Sequence, residues 1–128
     1  MSEREFSYNK TVMDHFRNPR NTGEIENPDA VAQTRNPACG DAILLTIKVS
    51  DERISEIKYL TFGCGAAIAT CSMASKLAQN KSLSEAEQLS GEDIVDALGG
   101  LPERKRACAE LAPNALKMAI AEYRQRNN

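Results

Sequence analysis

Tyr8, Val12 and Phe16 recur every four residues, the spacing that places side chains on one face of a helix, and Ser7 can cap its first turn. Asn18-Pro19-Arg20-Asn21 ends this helix. Gly, Pro, Asn and Asp then dominate as far as Pro37, which reads as a loop with a short strand at 30–34. Beyond it the period changes. Ile43, Leu45, Ile47 and Val49 alternate with Leu44, Thr46 and Lys48, as in a strand with one buried face. Asp51-Glu52 supplies a turn, and the β-branched and aromatic run 54–62 is near enough to pair back as an antiparallel hairpin. Gly63 stops that strand. Residues 65–79 are small and helix-compatible, with Ile68, Cys71, Ala74 and Ser75 on a stripe that continues from Cys64. Two short helical pieces follow at 84–89 and 92–98, then a break at Gly99-Gly100-Leu101-Pro102. In the last segment Leu116, Ala119, Ile120 and Tyr123 share a face, and Pro113 is expected as the first helical residue, with a bend near Ala112. Strands early and helices late predict an α+β fold, with helices packed on one face of a small antiparallel sheet.

The 128 residues, 41% hydrophobic and 27% charged, suit one globular domain over 1–128, with residues 1–7 expected to be flexible. A formal charge of −2, with Arg104-Lys105-Arg106 as the one basic block, argues against a nucleic-acid binder that works by neutralising phosphates. No apolar run approaches the roughly 20 residues that cross a bilayer, so no membrane association is expected. The first residues lack the pattern of a secretory signal, which makes the reducing cytoplasm the expected location.

Candidate chemistry rests on four cysteines. Cys39 lies in Pro37-Ala38-Cys39-Gly40-Asp41 at the mouth of the first long strand, Cys64 in Gly63-Cys64-Gly65 at a strand–helix junction, and Cys108 after the basic run. Small and charged neighbours let solvent and backbone N–H groups approach these sulfurs, as a ligating or nucleophilic thiolate requires. Cys64 adds a helix N-terminus, whose partial positive charge makes it the most thiolate-like of the set. Cys71 differs. It follows Cys64 by seven residues, facing the same way but about 10 Å further along the helix, and a tetrahedral metal holds its sulfurs only roughly 4 Å apart. It reads as a small buried hydrophobe. For the other three the spacings, 25 and 44 residues, match no short zinc-finger pattern, so a shared metal site and inert buried cysteines both stay open at this point.

The surrounding words narrow the choice. Ala38-Cys39-Gly40-Asp41, Thr61-Phe62-Gly63-Cys64-Gly65-Ala66-Ala67-Ile68-Ala69, Cys108 with Leu111-Ala112, and the opening Val12-Met13-Asp14-His15-Phe16-Arg17-Asn18-Pro19-Arg20-Asn21 resemble the IscU/NifU-type iron–sulfur cluster assembly scaffolds. The resemblance runs from Tyr8 to Arg124. It implies a three-stranded antiparallel sheet with helices on one side, and convergence of Cys39, Cys64 and Cys108 at one exposed end. It also implies a function: a non-enzymatic scaffold that builds a [2Fe–2S] cluster from iron and persulfide sulfur and passes it to apo-proteins. The implied partners are a cysteine desulfurase, an electron donor such as a ferredoxin, apo iron–sulfur proteins, a second copy of the chain, and a chaperone at Leu101-Pro102-Glu103-Arg104-Lys105. In that scheme Cys39, Cys64 and Cys108 hold the cluster, Asp41 or a cysteine of the desulfurase completes the shell as the labile fourth ligand, and Cys108 accepts persulfide. Asp41 can alternatively cap a turn after Gly40. Tyr8 matches a tyrosine of the family involved in sulfur reduction or dimer contacts, and alternatively belongs to the first helix's apolar face.

One position departs from the family pattern. Ala107 stands where relatives commonly carry histidine, and a methyl group cannot ligate. His15, the one histidine, is expected to make structural contacts inside the first helix. A four-ligand Cys, Cys, Cys, His site is therefore not available, including for zinc as a substitute metal. Two other functions remain to be weighed: a zinc-dependent persulfide sulfurtransferase of the SufU type, which carries an insertion that the 44-residue interval has no room for, and a plain structural zinc protein.

Overall fold

The computed structural model describes residues 8–37 and 40–127; Ser7 and the expectation for residues 1–7 lie outside them. Helix α1 spans Lys10–Arg17 and is capped by Asn9, whose side-chain oxygen accepts from the Val12 N–H at 2.8 Å while its Nδ2 donates to the Leu98 carbonyl at 2.9 Å. Tyr8 therefore precedes the helix. The buried face is Val12 and His15 rather than Val12 and Phe16, because His15 finds a polar partner inside and Phe16 stays 41% exposed. The Phe16 ring lies against Gly65, 3.4 Å from where a Cβ would stand.

The three strands, β1 (Ala30–Arg35), β2 (Ala42–Ser50) and β3 (Arg53–Phe62), form one antiparallel sheet in the order β1-β2-β3. Asp51 and Glu52 both take positive φ, 54° and 60°, as a two-residue hairpin turn of matching twist requires. Alternation puts Ala30, Ala32, Ile43, Leu45, Ile47, Ile57 and Tyr59 on the buried face and leaves Val31, Leu60 and Phe62 exposed. The free edge of β3 is covered by the chain itself. Gly23 N–H donates to the Tyr59 carbonyl at 2.8 Å near one end, and Ile54 N–H to the Lys81 carbonyl at 2.9 Å near the other.

Helix α2 (Gly65–Ala78) departs from the expected single stripe. Ala66, Ala67, Ala69 and Thr70 through Ser75 are all buried, whereas Ile68 is half-exposed. Small side chains allow neighbours to pack on every side: α1, the sheet, and the C-terminal helices all touch it. Short helices α3 (Leu83–Ala86) and α4 (Gly91–Leu98) follow, each opened by a capping box, Ser82 with Glu85 and Ser90 with Asp93. Gly99 closes α4 at φ 83°. A 3₁₀ segment (Glu103–Glu110) runs directly into α5 (Leu111–Arg126). Pro113 is thus the third helical residue, not the first. Its missing N–H falls in the first turn, where no intrahelical acceptor exists, and the change of winding lies at Glu110 rather than Ala112.

A buried polar cluster pins the N-terminal segment to α2. Ser72 Oγ lies 2.7 Å from His15 Nδ1 and accepts from the Arg20 N–H at 2.9 Å; Ser75 Oγ accepts from Asn21 Nδ2 at 3.0 Å. Burial, aided by the Arg20 charge, holds the His15 pKa below its usual 6.5. The folded chain then binds fewer protons than the unfolded one wherever the unfolded imidazole titrates. Stability is full above about pH 6.5 and falls as pH drops through that value toward the lowered folded pKa. The carboxylates held low by their partners, Asp14 and Glu85, titrate below this window. The urea midpoint is expected to drop between pH 7.5 and 5.5, and His15→Asn, which keeps a polar atom near Ser72, to flatten the drop. Equal pH slopes for the two proteins would refute this.

Candidate metal centre

The site forms where the sheet's ends meet α2 and the 3₁₀ segment. Register decides the first contact: Arg35 pairs with Ala42 and Ala42 with Phe62, so the β1–β2 loop, residues 36–41, ends beside Gly63. Asn36 N–H donates to the Asp41 carbonyl at 2.8 Å and Gly40 N–H to the Asn36 carbonyl at 2.7 Å, closing the loop, with Gly40 at φ 75°. Asp41 is 5% exposed, and its Oδ1 accepts from the Cys64 N–H at 3.3 Å. Its carboxylate thus sits over the start of α2. Gly63 makes the approach feasible, because a Cβ there would stand 2.4 Å from Asp41 Oδ1.

Cys64 is the N-cap residue of α2 and is half-exposed, its sulfur 3.8 Å from Asp41 Oδ2. Cys108 comes from the 3₁₀ segment, 44 residues away, and its sulfur lies 3.7 Å from that of Cys64. A tetrahedral metal with bonds of about 2.3 Å would hold two sulfurs roughly 3.8 Å apart, so the spacing is already that of a shared ligand edge. One donor atom each from Asp41, Cys64 and Cys108 lies within 4.8 Å of the others. Of the three cysteines expected to converge, Cys64 and Cys108 do meet, with Asp41 beside them. Cys39 lies outside the described residues.

Exposure at the site differs from the expectation. Cys108 is only 2% exposed. Thr70 Oγ1 on α2 donates to its carbonyl at 3.3 Å, and the Glu110 carboxylate accepts from the Gly91 N–H at 2.9 Å, which fastens the end of the segment to α4. On the other side Asn36 Nδ2 donates to the Ala107 carbonyl at 2.8 Å. Neither Asn36 nor Thr70 stood out in the sequence; the faint signal for Asn36 was its place before Pro37, a turn-starting pair.

The remaining candidates sort by position. Cys71 is 1% exposed on α2, and burial pushes its thiol up to about 12, with a hydrogen bond from Thr61 acting the other way. It is an inert core residue, as expected. Tyr8 packs partly buried against the core, close enough to the site that Lys105, Cys64, Arg104 and Cys108 all act on its phenol; burial dominates and raises its pKa above 10. His15 faces Ser72. In the Leu101–Lys105 run, Leu101 is buried while Glu103 and Arg104 are exposed.

Two thiols and a carboxylate gathered at the mouth of a small antiparallel sheet form a mixed sulfur and oxygen donor set of the kind that can hold a metal ion. Comparison with known proteins makes this specific: the chain belongs to the NifU-like N-terminal domain family, whose model matches residues 7–128. It is 49% identical over 120 residues to the iron–sulfur cluster assembly scaffold protein IscU 1 of Archaeoglobus fulgidus, covering 94% of this chain and 78% of the relative. To the scaffold protein IscU of Escherichia coli K12 it is 42% identical over 124 residues, 94% of this chain and 96% of that protein. The crystal structure of a nitrogen-fixing NifU-like protein (N-terminal) from Brucella abortus matches with a TM-score of 0.75 over 97% of this chain and 99% of that one. A scaffold protein for the SUF system from Fervidobacterium islandicum matches at 0.73 over 91% and 98%. At 19% and 21% identity, these two speak for the fold alone. Among the described residues no helix is long and apolar enough to cross a membrane.

Proposed function

We propose that this protein is a scaffold on which iron and sulfur are assembled into a cluster that is then handed to recipient apo-proteins. The observation that carries the reading is the 3.7 Å separation of the Cys64 and Cys108 sulfurs with the Asp41 carboxylate 3.8 Å from Cys64. The names of the relatives at 42–49% identity point the same way, whereas the SUF-type likeness gives the sulfurtransferase alternative nothing beyond the fold. Iron and sulfide are cargo here. Cys39, Cys64 and Cys108 supply three thiolates and Asp41 a harder oxygen that exchanges more readily, so a [2Fe–2S] unit is held firmly enough to form and loosely enough to leave. Zinc can occupy the same donors as a substitute, with Asp41 as the fourth where Ala107 offers none.

Sulfur arrives by transfer from a cysteine desulfurase. The Cys108 thiolate attacks the outer sulfur of the donor's persulfide, the donor's S–S bond breaks, and the donor leaves as a thiolate while Cys108 carries the persulfide. Two electrons per sulfur, supplied by a ferredoxin-type donor, then reduce it to sulfide. Because Cys108 is buried, this step requires the 3₁₀ segment to move off α2 first. The same segment begins inside the Leu101–Lys105 run assigned to a chaperone, so handling there and opening of the site are linked. The reducing cytoplasm suits the thiolates, and a second copy of the chain can complete the ligand shell.

Anaerobic incubation with ferrous iron, cysteine, a catalytic amount of desulfurase and a reductant tests the reading. The expected result is a brown protein with sulfur-to-iron charge-transfer bands, acid-labile sulfide, and delivery of the cluster to an apo-ferredoxin. Stoichiometric zinc with no colour under these conditions would overturn it.

A further inference from the structure

Asn36 joins the two halves of the site from outside it. Its side chain spans 71 residues of sequence to donate from Nδ2 to the Ala107 carbonyl at 2.8 Å, one residue before Cys108. Its own backbone meanwhile closes the loop that ends in Asp41, through Asn36 N–H to the Asp41 carbonyl and Gly40 N–H to the Asn36 carbonyl. Asn36 is thus attached to the carboxylate ligand by main chain and to the thiol ligand by side chain. The Cys108 peptide is held from the opposite side by Thr70 on α2, so Asn36 and Thr70 grip adjacent carbonyls, those of Ala107 and Cys108. The Thr70 grip ties the segment to α2. The Asn36 grip ties it to the ligand loop, and Arg35, whose Nη1 donates to the Gly40 carbonyl at 3.1 Å, steadies the same loop from the strand side.

We propose that Asn36 is a positioning residue, a carboxamide latch that sets the loop bearing Asp41 in register with Cys108 and so preorganises the donor set before any metal arrives. The inference rests on the scaffold reading for its purpose. Its geometry is independent of that purpose. A donor set prealigned in this way spends less ordering entropy on closing around a metal, and partners that orient ligands are typically worth about tenfold to a hundredfold in metal affinity. The latch is also reversible. It is an exposed hydrogen bond, in keeping with a segment that must open to receive sulfur.

The test uses the full chain with Asn36→Ala and Asn36→Leu, which remove the carboxamide but keep both backbone bonds of the loop, and Asn36→Gln, which retains an amide donor. Cobalt(II) is the probe, read by its thiolate charge-transfer and ligand-field bands and by competition with a chelator. Amide hydrogen exchange at 40–42 and 107–109 in the metal-free protein is the second readout. Expected are faster exchange at both segments in Asn36→Ala and Asn36→Leu, cobalt affinity about tenfold or more weaker with shifted ligand-field bands, and partial rescue by Asn36→Gln. A purely structural role would lower the unfolding midpoint and leave the cobalt spectrum of the folded protein unchanged. Wild-type affinity and bands in Asn36→Ala, with wild-type protein binding cobalt normally, would overturn the latch and leave the scaffold reading standing. Failure of the wild type itself to bind cobalt through thiolates would instead overturn the scaffold reading, and unchanged amide exchange in the variants would then overturn the latch on its own terms.

Discussion

Serine at Cys64 or at Cys108 is expected to cut cluster formation more than tenfold, the largest functional loss among single substitutions in this chain. A hydroxyl stays protonated at neutral pH and is a poor ligand for iron beside sulfide, so each change removes one soft anchor from the donor set. The two positions should differ in how they fail. Cys64 is half-exposed at the head of α2, so Cys64→Ser should still accept persulfide at Cys108 and stall afterwards. Cys108→Ser should show no persulfide on the protein at all. Cys71→Ala is the control: its sulfur is buried away from the donor group, and truncation should cost about 1 kcal/mol of stability while leaving assembly intact. Visible absorbance, labile sulfide and mass spectrometry of trapped persulfide measure all three. Wild-type cluster yield in Cys108→Ser would refute the assignment.

Asp41→Ala is expected to form a cluster with altered bands and to release it on the order of tenfold more slowly, because the exchangeable hard ligand is gone. The Asp41 carboxylate accepts from the Cys64 N–H, so it has two places to bind, and each departure from iron can be stabilised by return to the amide. That alternative makes the iron–oxygen bond readily reversible. The stability cost should be small. Loss of a buried partner can cost about 3 kcal/mol, but Cys64 is half-exposed and the contact is long at 3.3 Å, so water can replace the carboxylate and about 1 kcal/mol is expected. Transfer to an apo-ferredoxin followed by circular dichroism gives the rate, and an unchanged rate with unchanged bands would rule out Asp41 as a ligand.

Where the chain's own short-range chemistry governs, the structure follows the sequence closely. Alternation of Ile43, Leu45 and Ile47 with Leu44, Thr46 and Lys48 marks β2, and the short polar pair Asp51-Glu52 marks the turn, where both residues take positive φ. The family words around Cys64 and Cys108 lead to residues that do meet. The departures share one cause. Phe16 yields the buried face of α1 to His15, and the stripe on α2 dissolves into burial on all sides, because a neighbouring element supplies a partner that no local pattern encodes. The start of α5 at Leu111 rather than Pro113 likewise depends on the 3₁₀ segment that feeds it.

The sequence by itself determined the α+β order of elements, the hairpin and its turn, the inert setting of Cys71 and the identity of the ligand candidates. The first three follow from side-chain period, turn conformation and residue chemistry, which act over a few positions along the chain, and the ligand candidates from the resemblance of the surrounding words to a known family. Only the tertiary structure decided that Asp41, Cys64 and Cys108 lie within reach of one ion, that Cys108 is buried, and that Asn36 spans to Ala107. Those contacts join residues 23, 44 and 71 positions apart, and such separations are closed by packing of whole elements rather than by any local preference.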